Sequence, residues 1–80
     1  MIRVNFRNNV TRKNDNFDEN MTIREILAEL DVDPTRGTIA IDGATLPVGG
    51  LNKTLAELNY DGTPGRDSCV ITSIVKADNA

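Results

Sequence analysis

The 80 residues predict a small α+β domain in which one main helix packs on one face of a sheet and a short second helix sits beside it. Three stretches predict it. "IRVNF" opens the chain with strict apolar–polar alternation, "MTIREILAEL" has a capped start and apolar residues at helical spacing, and "CVITSIVK" near the end is rich in β-branched residues. Residues 1–80 read as a single domain without repeat or linker. A domain this small buries only about 60–65% of the surface its unfolded chain exposes, so its core must be economical.

In the first strand Ile2, Val4 and Phe6 fall on one side and Arg3 and Asn5 on the other, the pattern of a strand with one buried face. "RNNVTR" supplies asparagines for a tight turn, and "KNDNFDE" is expected to return as a second strand. Phe17 is the one good strand former in that return, and the polarity around it suits a sheet edge, where charge discourages pairing with another molecule. The helix start is over-specified. Thr22 and Glu25 have capping-box spacing, and Met21 and Ile26 can close a hydrophobic staple over them. Ile23, Ile26, Leu27 and Leu30 then form one apolar stripe, while Arg24, Glu25 and Glu29 face water. Pro34 is expected to end the helix, since proline disfavours helical geometry at the residue before it.

"GTIAIDGATLP" reads as a hairpin, with Thr38 to Ile41 as one strand, Asp42-Gly43 as a turn pair able to take positive φ, and Ala44 to Leu46 as a short return. In "LNKTLAELNY" the leucines Leu51, Leu55 and Leu58 keep helical spacing over barely two turns, giving a short helix or turn over one end of the core. "DGTPGRD" is a loop. The last strand carries Val70, Thr72 and Ile74 on one face and Cys69, Ile71, Ser73 and Val75 on the other, apolar on both sides as a central strand should be.

Strand, strand, capped helix, strand, strand, short helix, strand is an order that resembles the ubiquitin-like β-grasp family. Within it the nearest likeness is to the bacterial sulfur carriers of thiamine and molybdopterin synthesis and to small bacterial or phage proteins built like them. The resemblance covers nearly the whole chain and rests on element order and hydrophobic pattern. It implies a mixed sheet of four to five strands, with the last strand parallel to the first in the middle and the helix across one face. The family's functional motif is a C-terminal Gly-Gly whose extended end is adenylated and then loaded with sulfur or joined to a lysine. Here the sequence closes on Lys76, Ala77, Asp78, Asn79 and Ala80, and its Gly pair, Gly49-Gly50, precedes the last strand and is expected to be a turn feature. The expectation is therefore a non-enzymatic protein-interaction module. A divergent sulfur carrier or protein modifier and a weak RNA-binding module are the alternatives.

Other chemistry finds little support. The net charge of −3 with a pI near 4.7 argues against nucleic acid as a partner, because binding through phosphates needs a cationic face. Arg3, Arg7, Arg12 and Lys13 are the local exception, read as a solvated hairpin surface. One cysteine excludes an intrachain disulfide, and no apolar run is long enough for a signal-peptide core or a spanning helix. A cytoplasmic protein without membrane association is expected, in which the sequons at Asn9, Asn20 and Asn52 carry no meaning. The chain has no histidine, which removes the commonest general base and zinc ligand. "DVDPT" (Asp31 to Thr35) resembles the nucleophile loop of aspartyl-phosphate phosphatases, but it follows a helix where that loop needs a buried parallel strand. As a calcium loop it fails too, with Arg36 at the glycine position and Asp42 at that of the bidentate glutamate. Cys69 is expected to be a buried, inert core residue. No enzyme activity, metal or cofactor is expected. One helix covers one face of a sheet, so one row of the last strand should stay partly open. Ile71 and Val75 are the candidate protein-binding residues there, for an unidentified protein partner, with the chain itself a monomer or weak homodimer.

Overall fold

The computed structural model describes residues 1–74. It is a small α+β domain in which five strands, β1 (Ile2–Arg7), β2 (Arg12–Phe17), β3 (Thr38–Ile41), β4 (Ala44–Thr45) and β5 (Ser68–Ile74), form one sheet in the order β2-β1-β5-β3-β4. The one α-helix among the described residues, α1 (Ile23–Glu29), follows β2 in the chain. β1 runs antiparallel to β2 and parallel to β5, and β3 runs antiparallel to both β4 and β5, so the sheet is mixed. Among the described residues no helix is long and apolar enough to cross a membrane.

The two ends of the described chain meet in the middle of the sheet. Their register sets Val4 beside Cys69 and Phe6 beside Ile71. The pleat sends all four to one side, where they join Ile23, Ile26, Leu27 and Leu30 of the helix stripe in one core. Full burial of an aliphatic or aromatic side chain contributes ~1.5–3 kcal/mol, so this double row is the main source of stability. The same register corrects one expectation. Ile71 does not lie on the open face; it is 0% exposed, at the centre of the core. β5 is apolar in both rows, so its own pattern does not choose a face, and a one-residue slip would exchange the rows. Pairing with β1, whose Ile2, Val4 and Phe6 admit only one inward side, makes the choice. Val75 lies outside the described residues.

α1 begins as its sequence predicts. The Thr22 hydroxyl accepts the Glu25 amide at 3.2 Å and the Glu25 carboxylate accepts the Thr22 amide at 3.0 Å, a closed capping box. Its end differs from expectation. Pro34 is not the terminator; Asp31 at φ 60 is. The Val32 amide returns to the Leu27 carbonyl at 2.8 Å and the Asp31 amide to the Ala28 carbonyl at 3.1 Å, which is the Schellman arrangement with aspartate in the place glycine usually takes. Lys13 Nζ reaches from β2 to donate to the Leu30 carbonyl at 2.6 Å, a cation at the negative end of the helix. Pro34 instead opens a short 3-10 helix, Pro34–Arg36, with Asp33 as its cap.

Asp42 and Gly43, at φ 50 and 86, form the two-residue turn between β3 and β4 that their types predicted. In place of the short second helix expected over "LNKTLAELNY", the segment from Gly50 onward forms two 3-10 turns, Gly50–Asn52 and Ala56–Leu58. The second carries a capping box of its own. The Thr54 amide donates to Glu57 at 2.9 Å and the Glu57 amide to the Thr54 hydroxyl at 3.1 Å, which brings Leu55 into the core at 0% exposure.

Candidate functional site

Opposite α1 the sheet has no covering element among the described residues. The β1 row of this face is Arg3, Asn5 and Arg7, and the register places Asn16, Asn14 and Arg12 of β2 directly across from them. On the other side of β1 stand Ser68, Val70 and Thr72, with Ile74 one step further along β5. The outward residues of β1, β2 and β5 are exposed or half-buried, and Ile74 is the apolar one that protrudes, at 59% exposure. β3 contributes Thr38 beside Ile74 and Ala40 beside Thr72. Ala40 is buried although no helix covers it, because it is small and lies between the neighbouring strands.

The charge of this face is one-sided. Among the described residues no Asp or Glu occupies an outward strand position, and the one strand carboxylate there, Asp15, stands opposite Val4 on the helix side. Arg7 and Arg12 face each other across the hairpin, and among the described residues neither has an ion pair or a side-chain hydrogen bond. Four other cations have partners. Lys13 caps the helix, Arg24 bonds Asn52 at 3.3 Å, Arg36 pairs with Asp33 at 3.8 Å, and Arg3 makes a long contact of 3.4 Å to Asn14. Arg7 stands between two shallow depressions. One, of about 310 Å³, is bounded by Asn5, Arg12, Asn14 and Val70; the other, of about 200 Å³, by Asn8, Thr72 and Ile74. A wider groove of about 400 Å³ runs elsewhere, between Arg24 on α1 and the segment from Leu46 to Asn52. Its only charged lining group among the described residues, Arg24, is already bonded to Asn52.

Residues singled out for chemistry are placed in structural roles. Cys69 is 2% exposed, and burial first, then the nearby Asp42 carboxylate, push its thiol up to about 12, far from a reactive thiolate. Asp33 accepts the Thr35 hydroxyl at 2.7 Å and its amide at 2.9 Å, bonds that hold its carboxyl below the usual range. Glu57 and Asp61 are lowered in the same way by Thr54 and Thr63. These carboxylates serve as caps and turn locks. Gly49 sits at φ 81 and the Gly50 amide donates to the Pro47 carbonyl at 2.9 Å, so the Gly pair is folded into a turn ahead of β5. Among the described residues no three Cys, Asp or Glu side chains come together in a way that could hold a metal ion.

The sequence reading missed the arginines as part of this face. Their signal was present in "IRVNFR", where Arg3 and Arg7 alternate with the core row and so must share the opposite side. What the sequence lacks is the turn register that brings Arg12 against Arg7. Comparison with protein-family models, with curated proteins and with solved structures finds no match to this chain.

Proposed function

We propose that this chain is a ubiquitin-like β-grasp protein that works as a non-enzymatic interaction module, docking a protein partner on the open face of its sheet. The strand order with β5 parallel to β1 at the centre, and one helix on one side, supports the family reading. The observation that carries the function is the open row of β5, where Val70, Thr72 and Ile74 present a partly apolar strip at the centre of an uncovered face. The buried thiol and the carboxylates engaged in caps and turns are consistent with this reading.

The test is Ile74→Asp. Its side chain is exposed, so the substituted protein should keep its melting temperature, and a host protein that co-purifies with the parent chain in near-equal amount should be lost. Equal retention of that protein, or the lack of any such protein on the parent chain, overturns the proposal. Intact-mass measurement of the protein from its host provides an independent check. A mass raised by a thiocarboxylate would replace the docking reading with that of a sulfur carrier.

A further inference from the structure

We infer that the segment docked on this face is acidic polypeptide, bound by Arg7 and Arg12 and packed against Val70 and Ile74; this rests on the docking reading above. The Arg7–Arg12 pair is the starting point. Residues directly opposite in an antiparallel pair have Cβ atoms only about 4.5–5.5 Å apart, and like charges in that position oppose folding. Here the pair has no carboxylate beside it among the described residues, although the chain has more acidic than basic residues overall, 12 against 9. An anionic ligand supplies the missing counter-charge. Two guanidinium groups side by side offer planar, paired donors of the kind that hold carboxylates in bidentate fashion.

Arg3 extends the pattern. It lies four residues before Arg7 on the same face of β1, and at about 3.3 Å per residue the two Cα atoms are roughly 13 Å apart. An extended segment laid along β1 would meet both with acidic residues four positions apart. Asn5 and Asn14 stand opposite each other between them, with amide donors and acceptors suited to a peptide backbone.

The remainder of the face distinguishes a polypeptide from a nucleic acid. Val70 and Ile74 adjoin the arginines and call for apolar side chains, which a sugar–phosphate backbone lacks. Single-stranded nucleic acid also needs aromatic platforms for its bases. The three aromatic residues are elsewhere: Phe6 and Phe17 are in the core, and Tyr60 packs against the core beside Leu58.

The test titrates the isotope-labelled full chain with three probes: a short synthetic peptide of Glu and Leu, the same peptide with Lys for Glu, and a short oligouridylate. The Glu peptide should shift the amide resonances of Arg7, Arg12, Val70 and Thr72 saturably, and the Lys peptide should not. Binding should weaken about tenfold in the doubly substituted Arg7→Gln, Arg12→Gln protein, and severalfold between about 50 and about 300 mM salt as the charges are screened. A Glu peptide that fails to bind, that shifts residues elsewhere, or that is indifferent to the double substitution overturns the inference. Tighter binding of the oligouridylate also overturns it and assigns the face to nucleic acid. The two readings fail separately. Host protein lost with Ile74→Asp but retained by the double glutamine variant leaves docking standing and removes the charge inference; host protein retained by Ile74→Asp removes both.

Discussion

Tyr60 donates its hydroxyl to one carboxylate oxygen of Asp42, whose other oxygen accepts the Val70 amide at 2.9 Å. The Asp42 amide in turn donates to the Val70 carbonyl at 2.8 Å. One turn residue thus adds a further rung to the β3–β5 ladder, and the side chain of a loop residue locks it. Tyr60→Phe keeps the ring and deletes the hydroxyl. It should cost about 1 kcal/mol, below the ~1.5–3 kcal/mol of a bond to a charged group because Asp42 is open to water, read as a lower urea midpoint at unchanged slope.

Alkaline pH should weaken the fold through two groups. Burial first, then the bond to Asp42, raise the Tyr60 phenol above its ordinary 10.0, and burial raises the Cys69 thiol from 9.0 to about 12. A raised folded-state value favours the protonated form. The contribution is complete below the unfolded values and is lost as pH climbs, from about 9 upward for Cys69 and from about 10 upward for Tyr60. Melting temperatures between those pH values and pH 12 should fall, less steeply in Tyr60→Phe and in Cys69→Ala when each is compared with its own value at pH 8. With one tyrosine and no tryptophan in the chain, ultraviolet titration reads Tyr60 directly and should show it ionising late.

Thr22→Ala should destabilise the domain by about 1 kcal/mol, because it opens the capping box and leaves a helix-start amide without a partner. For a domain of this size that is a melting-temperature loss of roughly 4–8 °C. The Thr22 amide and hydroxyl hold Glu25 below its ordinary 4.5. A lowered folded-state value contributes stability above the unfolded value and loses it as pH falls. Glu25→Gln should therefore flatten the acid limb of the stability profile while keeping the helix.

Ile71 and Ile74 lie three residues apart on β5 and should respond oppositely. Ile71→Ala should cost about 2–5 kcal/mol by opening a cavity between Phe6 and the helix. Ile74→Ala should stay within about 0.5 kcal/mol. Denaturant midpoints of the two variants measure the difference directly, and equal losses would contradict the register that buries Ile71.

Arg12→Glu replaces a like-charge pair with an opposite one. It should raise stability by up to about 1 kcal/mol at low salt, the span of cross-strand pair effects, and the gain should fade as salt is added. The same variant should lose binding of the Glu peptide. Greater stability with less binding is the expected mark of a residue kept for docking.

The local rules carried the reading of the chain a long way. Alternation in "IRVNF", the Thr22–Glu25 cap and the Asp42-Gly43 turn act over neighbouring residues, and the structure reproduces each. The failures have separate causes. The Schellman end at Asp31 puts a non-glycine residue at positive φ, and proline three residues on was the stronger textual signal. The second capping box sits on a segment too short to show periodicity. The candidate face failed at Ile71 because β5 is apolar in both rows, while Val75 lies outside the described residues.

By itself, then, the sequence determined where strands, turns and the helix lie and which side of β1 and α1 is buried, since these depend on contacts a few residues away. Tertiary structure alone decided which row of β5 turns inward and which arginines stand together. Those outcomes depend on the register between segments more than sixty residues apart and on the turn between β1 and β2. A slip of one residue in either would have left every local pattern intact and exchanged the row that meets the core with the row on the open face.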